Sequence, residues 1–262
     1  MRTYTKYTVD SLMQALREGD FHLSPSSIKH FASSPRDFVK YKVYREEKPT
    51  TDDMKMGILY EAFLLDLPHD LKIYSRDEFP VAGKDLRNAK NKAFMDDLKA
   101  EFGEDLLVEQ TIANVAQSMA DRTKRHPVAS GLLSRGDTFQ KELKWNVNGI
   151  NLLGYVDVCG DDIILEIKKC RDASFKKFQY DIYDFDYLRQ VAMYWDAEGQ
   201  NKDVYILGCD PSGQVCPVEI KTETLLTQVE EYHQLIDSFK LCIELDAFDA
   251  GYEWFYEGAY EL

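Results

Sequence analysis

Two runs of apolar and β-branched residues, Gly149 to Cys159 and Ile163 to Lys169, are separated only by Gly160-Asp161-Asp162. Runs of this kind bounded by turn residues describe a β-hairpin. Side chains alternate across a strand, so Glu166 and Lys168 share one face while Ile163, Leu165 and Ile167 take the other, toward a core. A tight turn at Gly160-Asp161 sets Asp157 opposite Ile164 and diagonal to Glu166. Two carboxylates and one ammonium then approach a single small volume. Read alone, the same spacing also describes an exposed hairpin with a Glu-Lys pair, contributing on the order of 0.2–1 kcal/mol.

Charge decides what the convergent reading can do. Magnesium takes oxygen ligands and keeps several waters, so one or two carboxylates plus a substrate phosphate suit it better than a closed cage. Asp157 and Glu166, helped by the backbone carbonyl of Ile167, form such a set, which manganese can also use. Lys168 supplies fixed positive charge where negative charge develops on a phosphate.

Further segments extend the pattern in order along the chain: Leu23-Ser24-Pro25-Ser26-Ser27-Ile28, then Ser34-Pro35-Arg36-Asp37-Phe38, then Met56-Gly57-Ile58-Leu59-Tyr60-Glu61, and Leu188-Arg189-Gln190-Val191-Ala192-Met193-Tyr194 beyond the hairpin. With Asp157 and Glu166-x-Lys168, these resemble the PD-(D/E)XK nuclease superfamily, most closely the RecE-like (exodeoxyribonuclease VIII type) exonucleases of phage and prophage. The resemblance implies a restriction-endonuclease-like α/β core, a mixed central sheet flanked by helices with an N-terminal helical region. It also implies Glu61 as a third metal ligand, and Gln190 and Tyr194 as residues positioning water or DNA. Two departures stand out: relatives usually carry histidine at the position of Glu61, and threonine at that of Lys169. The second cation, Lys169, is either a phosphate contact or a solvated side chain.

The helical segments carry their own physical signals. Asp52 to Leu67 places Met56, Leu59, Phe63, Leu64 and Leu67 near helical spacing, with Asp52 or Asp53 at the cap. Gly57 inside it costs up to about 1 kcal/mol against alanine, which points to close packing against another backbone. Glu61 sits one turn further on the same face; read alone, it is a surface residue of an amphipathic helix. Tyr183 to Trp195 reads as one helix bringing Gln190 and Tyr194 to the same side. Helices are expected over Asp85–Phe102, Ile112–Arg125 and Glu223–Leu245, the last with Leu226, Val229, Tyr232, Leu235, Ile236 and Phe239 as its apolar stripe. Strands are expected at Leu106–Glu109, Thr138–Val147, Asp203–Cys209 and Gln214–Ile220. Glu142 is expected as an exposed sheet residue. The aromatic tail from Ala247 to Leu262 closes over the core or makes a subunit contact.

Composition frames this as one domain over 1–262, residues 1–135 mainly helical and 136–262 carrying the catalytic sheet. No apolar run approaches a membrane span and Met1 to Lys6 lacks a signal-peptide pattern, so the expected compartment is the cytoplasm. Cys159, Cys170, Cys209, Cys216 and Cys242 form an odd set without a Cys-x-x-Cys pair, against a disulfide framework, a zinc site or an iron–sulfur cluster. The 32 basic and 46 acidic residues give a formal charge of −14, unlike the basic footprint of most DNA-binding domains. Binding then depends on local clusters: Lys84 to Lys92 with Arg87 and Lys90, Arg122 to His126 with Arg125, and Lys176 and Lys177 beside the hairpin. Each of these is more often a solvated helix face.

The expected function is a magnesium-dependent deoxyribonuclease. The resemblance implies 5′-to-3′ resection of linear double-stranded DNA ends, a single-strand annealing partner of the RecT type, and a homo-oligomer, a tetramer in RecE-like enzymes. Other readings of the same residues are a RecB-like single-strand nuclease or endonuclease, and a catalytically silent DNA-binding scaffold.

Overall fold

Strand β5, Ile163–Lys169, is apolar along nearly its whole length, and in the computed structural model it forms the middle of a five-stranded sheet buried on both faces. The structure describes residues 9–18, 20–44, 50–82, 85–251, 253 and 255. Lys84, the first six residues, and the tail aromatics Tyr252, Trp254, Tyr256 and Tyr260 lie outside them.

The N-terminal part runs through α1 (Val9–Glu18), α2 (Pro25–Ser33), α3 (Pro35–Phe38) and α4 (Asp52–Leu65). A small parallel pair, β1 (Lys72–Tyr74) and β2 (Leu107–Glu109), brackets α5 (Ala89–Phe102). Helices α6 (Gln110–Arg125) and α7 (Pro127–Leu133) lead into the sheet. Its order is β3 (Thr138–Val147), β4 (Ile150–Cys159), β5, β6 (Asp203–Cys209) and β7 (Val215–Ile220), with β5 and β6 parallel and the other neighbours antiparallel. Between β5 and β6 come α8 (Phe175–Asp184) and α9 (Tyr187–Ala197), and α10 (Thr222–Leu245) follows β7.

Two cores sandwich the sheet. On one face Leu143, Leu152, Val156, Ile164 and Ile206 pack with Phe31, Val191, Trp195 and Phe239 from α2, α9 and α10. On the other, Val158, Ile163, Leu165, Ile167 and Leu207 pack with Leu59 and Tyr60 of α4 and Met119 of α6. Ala113, Ala116 and Ala120 give α6 a face of small buried side chains on this second core. The mixed sheet flanked by helices is the α/β architecture expected.

Local details differ from the sequence reading for identifiable reasons. Thr51, not Asp52 or Asp53, caps α4, its hydroxyl accepting from Met54 N at 3.2 Å. Asn88 caps α5, so that helix starts at Ala89. The expected helix from Tyr183 to Trp195 is broken, because Asp186 takes a left-handed φ of 63° between α8 and α9. On α10, Leu225 is buried and Leu226 is exposed, the stripe starting one position earlier than read. Glu142 is exposed and accepts from the Tyr155 hydroxyl. Phe248 is buried against Phe38 and Phe239, so that part of the tail closes over the core. All five cysteines are buried.

Candidate active site

The hairpin register places the site. The ladder between β4 and β5 consists of Val158↔Leu165 and Cys159↔Ile164, so Ile164 faces Cys159 rather than Asp157. The cause is a two-residue turn at Asp161-Asp162, closed by Gly160 N donating to Ile163 O at 3.0 Å, one position later than the turn expected at Gly160-Asp161. Continuing that register sets Asp157 across from Glu166, but there the strands have parted. The backbone N–H of Ile167 is left without a ladder partner, and Asp157 Oδ2 accepts it at 2.7 Å. Further along, the edge of β4 is taken by the N-terminal segment: Leu23 N donates to Asn151 O at 2.9 Å and Leu153 N to Leu23 O at 2.8 Å.

Opposite Asp157 on β3 stands Gln140, with a left-handed φ of 49°. The flanking pairs Phe139↔Val158 and Lys141↔Val156 keep register. The pleat nevertheless inverts here: Val156 lies in one core and Val158, two residues on, in the other. Regular alternation would keep both on one face. The Gln140 amide donates to Asp157 Oδ1 at 3.0 Å and also to Glu61 Oε1 of α4. The sequence reading missed Gln140. Its signal was present in Asn148-Gly149, the strongest two-residue hairpin turn; counting back from Val147↔Ile150 puts residue 140 opposite 157.

Glu166 and Lys168 share a face of β5, as expected, with Lys168 Nζ 2.5 Å from Glu166 Oε1. Gln190 Nε2 donates to the same oxygen at 2.7 Å and lies 3.1 Å from the Tyr194 hydroxyl. Lys168 also lies over the Tyr187 ring, 4.9 Å from its centroid. The structure therefore brings together Glu61, Asp157, Glu166, Lys168, Gln190 and Tyr194. Gly154 makes room for Tyr194, since a Cβ at that position would overlap the tyrosine ring.

Other expected residues stand elsewhere. Lys169 is neither solvated nor directed to the carboxylates; its side chain is 8% exposed and pairs with Asp53 in the first turn of α4. A Cβ on Gly57 would meet Lys169 Cβ at 3.7 Å, an ordinary contact, so close backbone packing does not demand that glycine. Arg87 pairs with Asp85, the Arg122 side chain lies against the Gly213 turn, and Arg125 Nε donates to Asp121 O. Lys90, Lys176 and Lys177 are exposed. Beside the carboxylates, a cleft of about 570 Å³ opens between the start of α2, β4 and α9, lined by Ser24, Ser26, Lys29, Lys42, Gln190 and Tyr194 among others.

Electrostatics mark the site as strained toward a cation. Burial, and then Asp157, push Glu166 up to about 8 and Glu61 up to about 7. Burial also raises Asp157, against the opposing pull of Lys168 and the Ile167 N–H. Burial works against the Lys168 ammonium, but Glu166 and Asp157 outweigh it and keep the lysine charged. Glu166 Oε2 is buried without a partner, an orphaned carboxyl oxygen of the kind a metal ion satisfies. Among the described residues no three acidic, histidine or cysteine side chains are gathered closely enough to hold an ion as they stand. The orphaned oxygen is the more telling observation, because the Gln140 amide holds the space between Glu61 and Asp157. The donor set fits a hard divalent ion.

A pH dependence follows. Both glutamates bind protons more tightly in the fold than at their ordinary 4.5, so their contribution favours folding at low pH and is lost as pH rises from about 4.5 to about 8. In chelator, the difference in urea midpoint between wild type and Glu166→Gln is expected to change across that window, with wild type losing ground. A difference that stays constant would mean that Glu166 is not held against its neighbours.

Comparison with known proteins agrees with the fold. A search of curated proteins returns no match. Among solved structures, a protein from Eubacterium rectale described as a candidate exonuclease superposes with a TM-score of 0.61 at 12% identity, covering 93% of this chain and 88% of its own. A second, SSO0001, matches at 13% identity with a TM-score of 0.28, covering 68% and 85%, too distant in shape to support an argument. The likeness to the first is one of fold. No helix among the described residues is long and apolar enough to cross a membrane. The profile of the PDDEXK-like domain of unknown function (DUF3799) matches residues 24–244, most of the chain, and the chain belongs to that family.

Proposed function

We propose that the protein is a magnesium-dependent deoxyribonuclease that resects linear double-stranded DNA from its 5′ ends. The observation that carries this reading is the convergence of Asp157 and Glu166 on one charged lysine where β4 and β5 part, with Glu61 tied to Asp157 through Gln140. Asp157, Glu166, the Ile167 carbonyl and, on the far side, Glu61 would hold the ion. When bound, magnesium supplies Lewis-acid polarisation of the phosphodiester and lowers the pKa of a water.

The chain's own groups do the rest. Glu166 fixes the Lys168 ammonium by a charge-assisted hydrogen bond, so its positive charge stands ready where the phosphorane charge grows. Gln190 fixes Glu166 from the other side and is itself braced by Tyr194. Burial keeps the Tyr194 hydroxyl protonated, so it acts as a hydrogen-bonding brace and not as a base.

The cleft beside Gln190 favours an exonuclease over an endonuclease. Its wall combines Lys29 and Lys42 with the Ser24-capped start of α2, a setting suited to a strand's terminal phosphate. A role in recombination by single-strand annealing, a RecT-like partner and a homo-oligomer accompany this reading. The assay compares linear duplex with covalently closed circles of the same sequence in magnesium. Linear DNA is expected to be degraded and circles to persist. Equal cleavage of both would favour an endonuclease, and no cleavage of either, in magnesium or manganese, a DNA-binding scaffold.

A further inference from the structure

We propose that Gln140 is a placeholder for the cation: its amide occupies the space between Glu61 and Asp157 in the metal-free protein and is displaced when a divalent ion binds. The inference rests on the metal-dependent reading above but concerns a residue outside the hairpin and the Glu-x-Lys strand.

Three observations converge. First, one amide group donates to Glu61 Oε1 and to Asp157 Oδ1 at once. Two carboxylates that share one donor repel each other. A donor shared between them offsets that repulsion as a cation does, though with partial charge only. An ion bridging the same two oxygens and the Gln140 Nε2 cannot occupy one place together.

Second, Gln140 is held there by a costly backbone. A non-glycine residue in the left-handed region is disfavoured, and the conformation coincides with the pleat inversion opposite Asp157. A strand that only needed to continue its ladder would not adopt it. The strain directs this one side chain to the carboxylates.

Third, the site keeps an unsatisfied oxygen nearby. Asp157 is satisfied on both oxygens, by Ile167 N and by Gln140, whereas Glu166 Oε2 has no partner. The amide therefore satisfies only part of the carboxylate set. An ion held there would also have Glu166 Oε2 to bond.

The thermodynamic consequence is definite. A group that stabilises the metal-free state and not the loaded one weakens metal binding by the same factor. Removing the donors is expected to tighten binding by about ten- to hundredfold, the scale of a hydrogen bond to a charged group. The test uses Gln140→Met, which keeps length without donors, and Gln140→Gly, which also relieves the left-handed backbone. Manganese affinity is read by electron paramagnetic resonance on protein stripped with chelator, and thermal midpoints are taken with and without manganese.

Both variants are expected to bind manganese more tightly than wild type. The Met variant is expected to melt lower than wild type only in the absence of metal. Wild-type binding with variants that bind equally or more weakly would overturn the placeholder and leave the metal site standing. Absence of manganese binding in all three proteins would overturn both.

Discussion

Lys168→Met is expected to lower the rate of DNA cleavage by about 10²- to 10³-fold, the scale lost when one preorganised charge donor is removed from a transition state. Methionine keeps the length and apolar body of the stem over Tyr187 and deletes only the ammonium. The consequence for stability is smaller than loss of a buried pair suggests. Breaking such a pair costs roughly 3–5 kcal/mol where the remaining charge is trapped. Glu166, already pushed up to about 8 by burial, escapes by keeping a proton and still accepts from Gln190. The protein should fold and melt cooperatively while single-turnover cleavage collapses. A variant that cleaves at the wild-type rate would show that the lysine is structural.

Gly154→Ala is expected to disable the site through Tyr194. A methyl group there overlaps the Tyr194 ring, so the ring must shift; Tyr194 is 3% exposed, with its helix neighbours Val191 and Trp195 also buried. Overpacking of this kind costs about 1–3 kcal/mol. The displacement also reaches the chemistry, because Tyr194 braces Gln190 and Gln190 fixes Glu166. Misplacement of a catalytic group by about 1 Å can cost a hundredfold in rate. Tyr194→Phe, which keeps the ring and loses the hydroxyl, is expected to do far less. Combining Gly154→Ala with Tyr194→Leu should restore part of the stability lost, since the smaller side chain removes the overlap. Strict additivity of the two substitutions, measured by urea unfolding, would show that they do not meet.

The contrast between these substitutions and Gln140 shows what the amino-acid order could reveal. Glu166 and Lys168 were legible because strand alternation alone puts them on one face, and their partner Gln190 because the Gln-x-x-x-Tyr spacing resembles a known arrangement. Glu61 was legible for the same reason, and it does reach the site through Gln140. The register of Asp157 was misread by two residues, because Gly160-Asp161-Asp162 accommodates a two-residue turn at either of two positions and only the closing bond from Gly160 to Ile163 decides between them. Gln140 belonged to no motif. Its placement depends on a backbone kink that a period-two pattern cannot express. Lys169 was misread because its partner, Asp53, lies more than a hundred residues away in sequence. The division between α8 and α9 was hidden by continuous helix-compatible residues, with one left-handed aspartate at the break.

The dispersed basic residues illustrate a related limit. Charge clusters along the chain did not foretell which cations approach the cleft. Lys29 and Lys42 line it, although neither belonged to a cluster singled out by composition. They come together because Leu23 is hydrogen-bonded to the edge of β4, which brings the α2 entrance against the parted strands.

The most direct measurement is anomalous diffraction at the manganese edge from crystals soaked in manganese. A peak touching the carboxylates of both Asp157 and Glu166, with the Lys168 ammonium alongside, is the result this account predicts. Full occupancy of manganese elsewhere with none at these two side chains would contradict it.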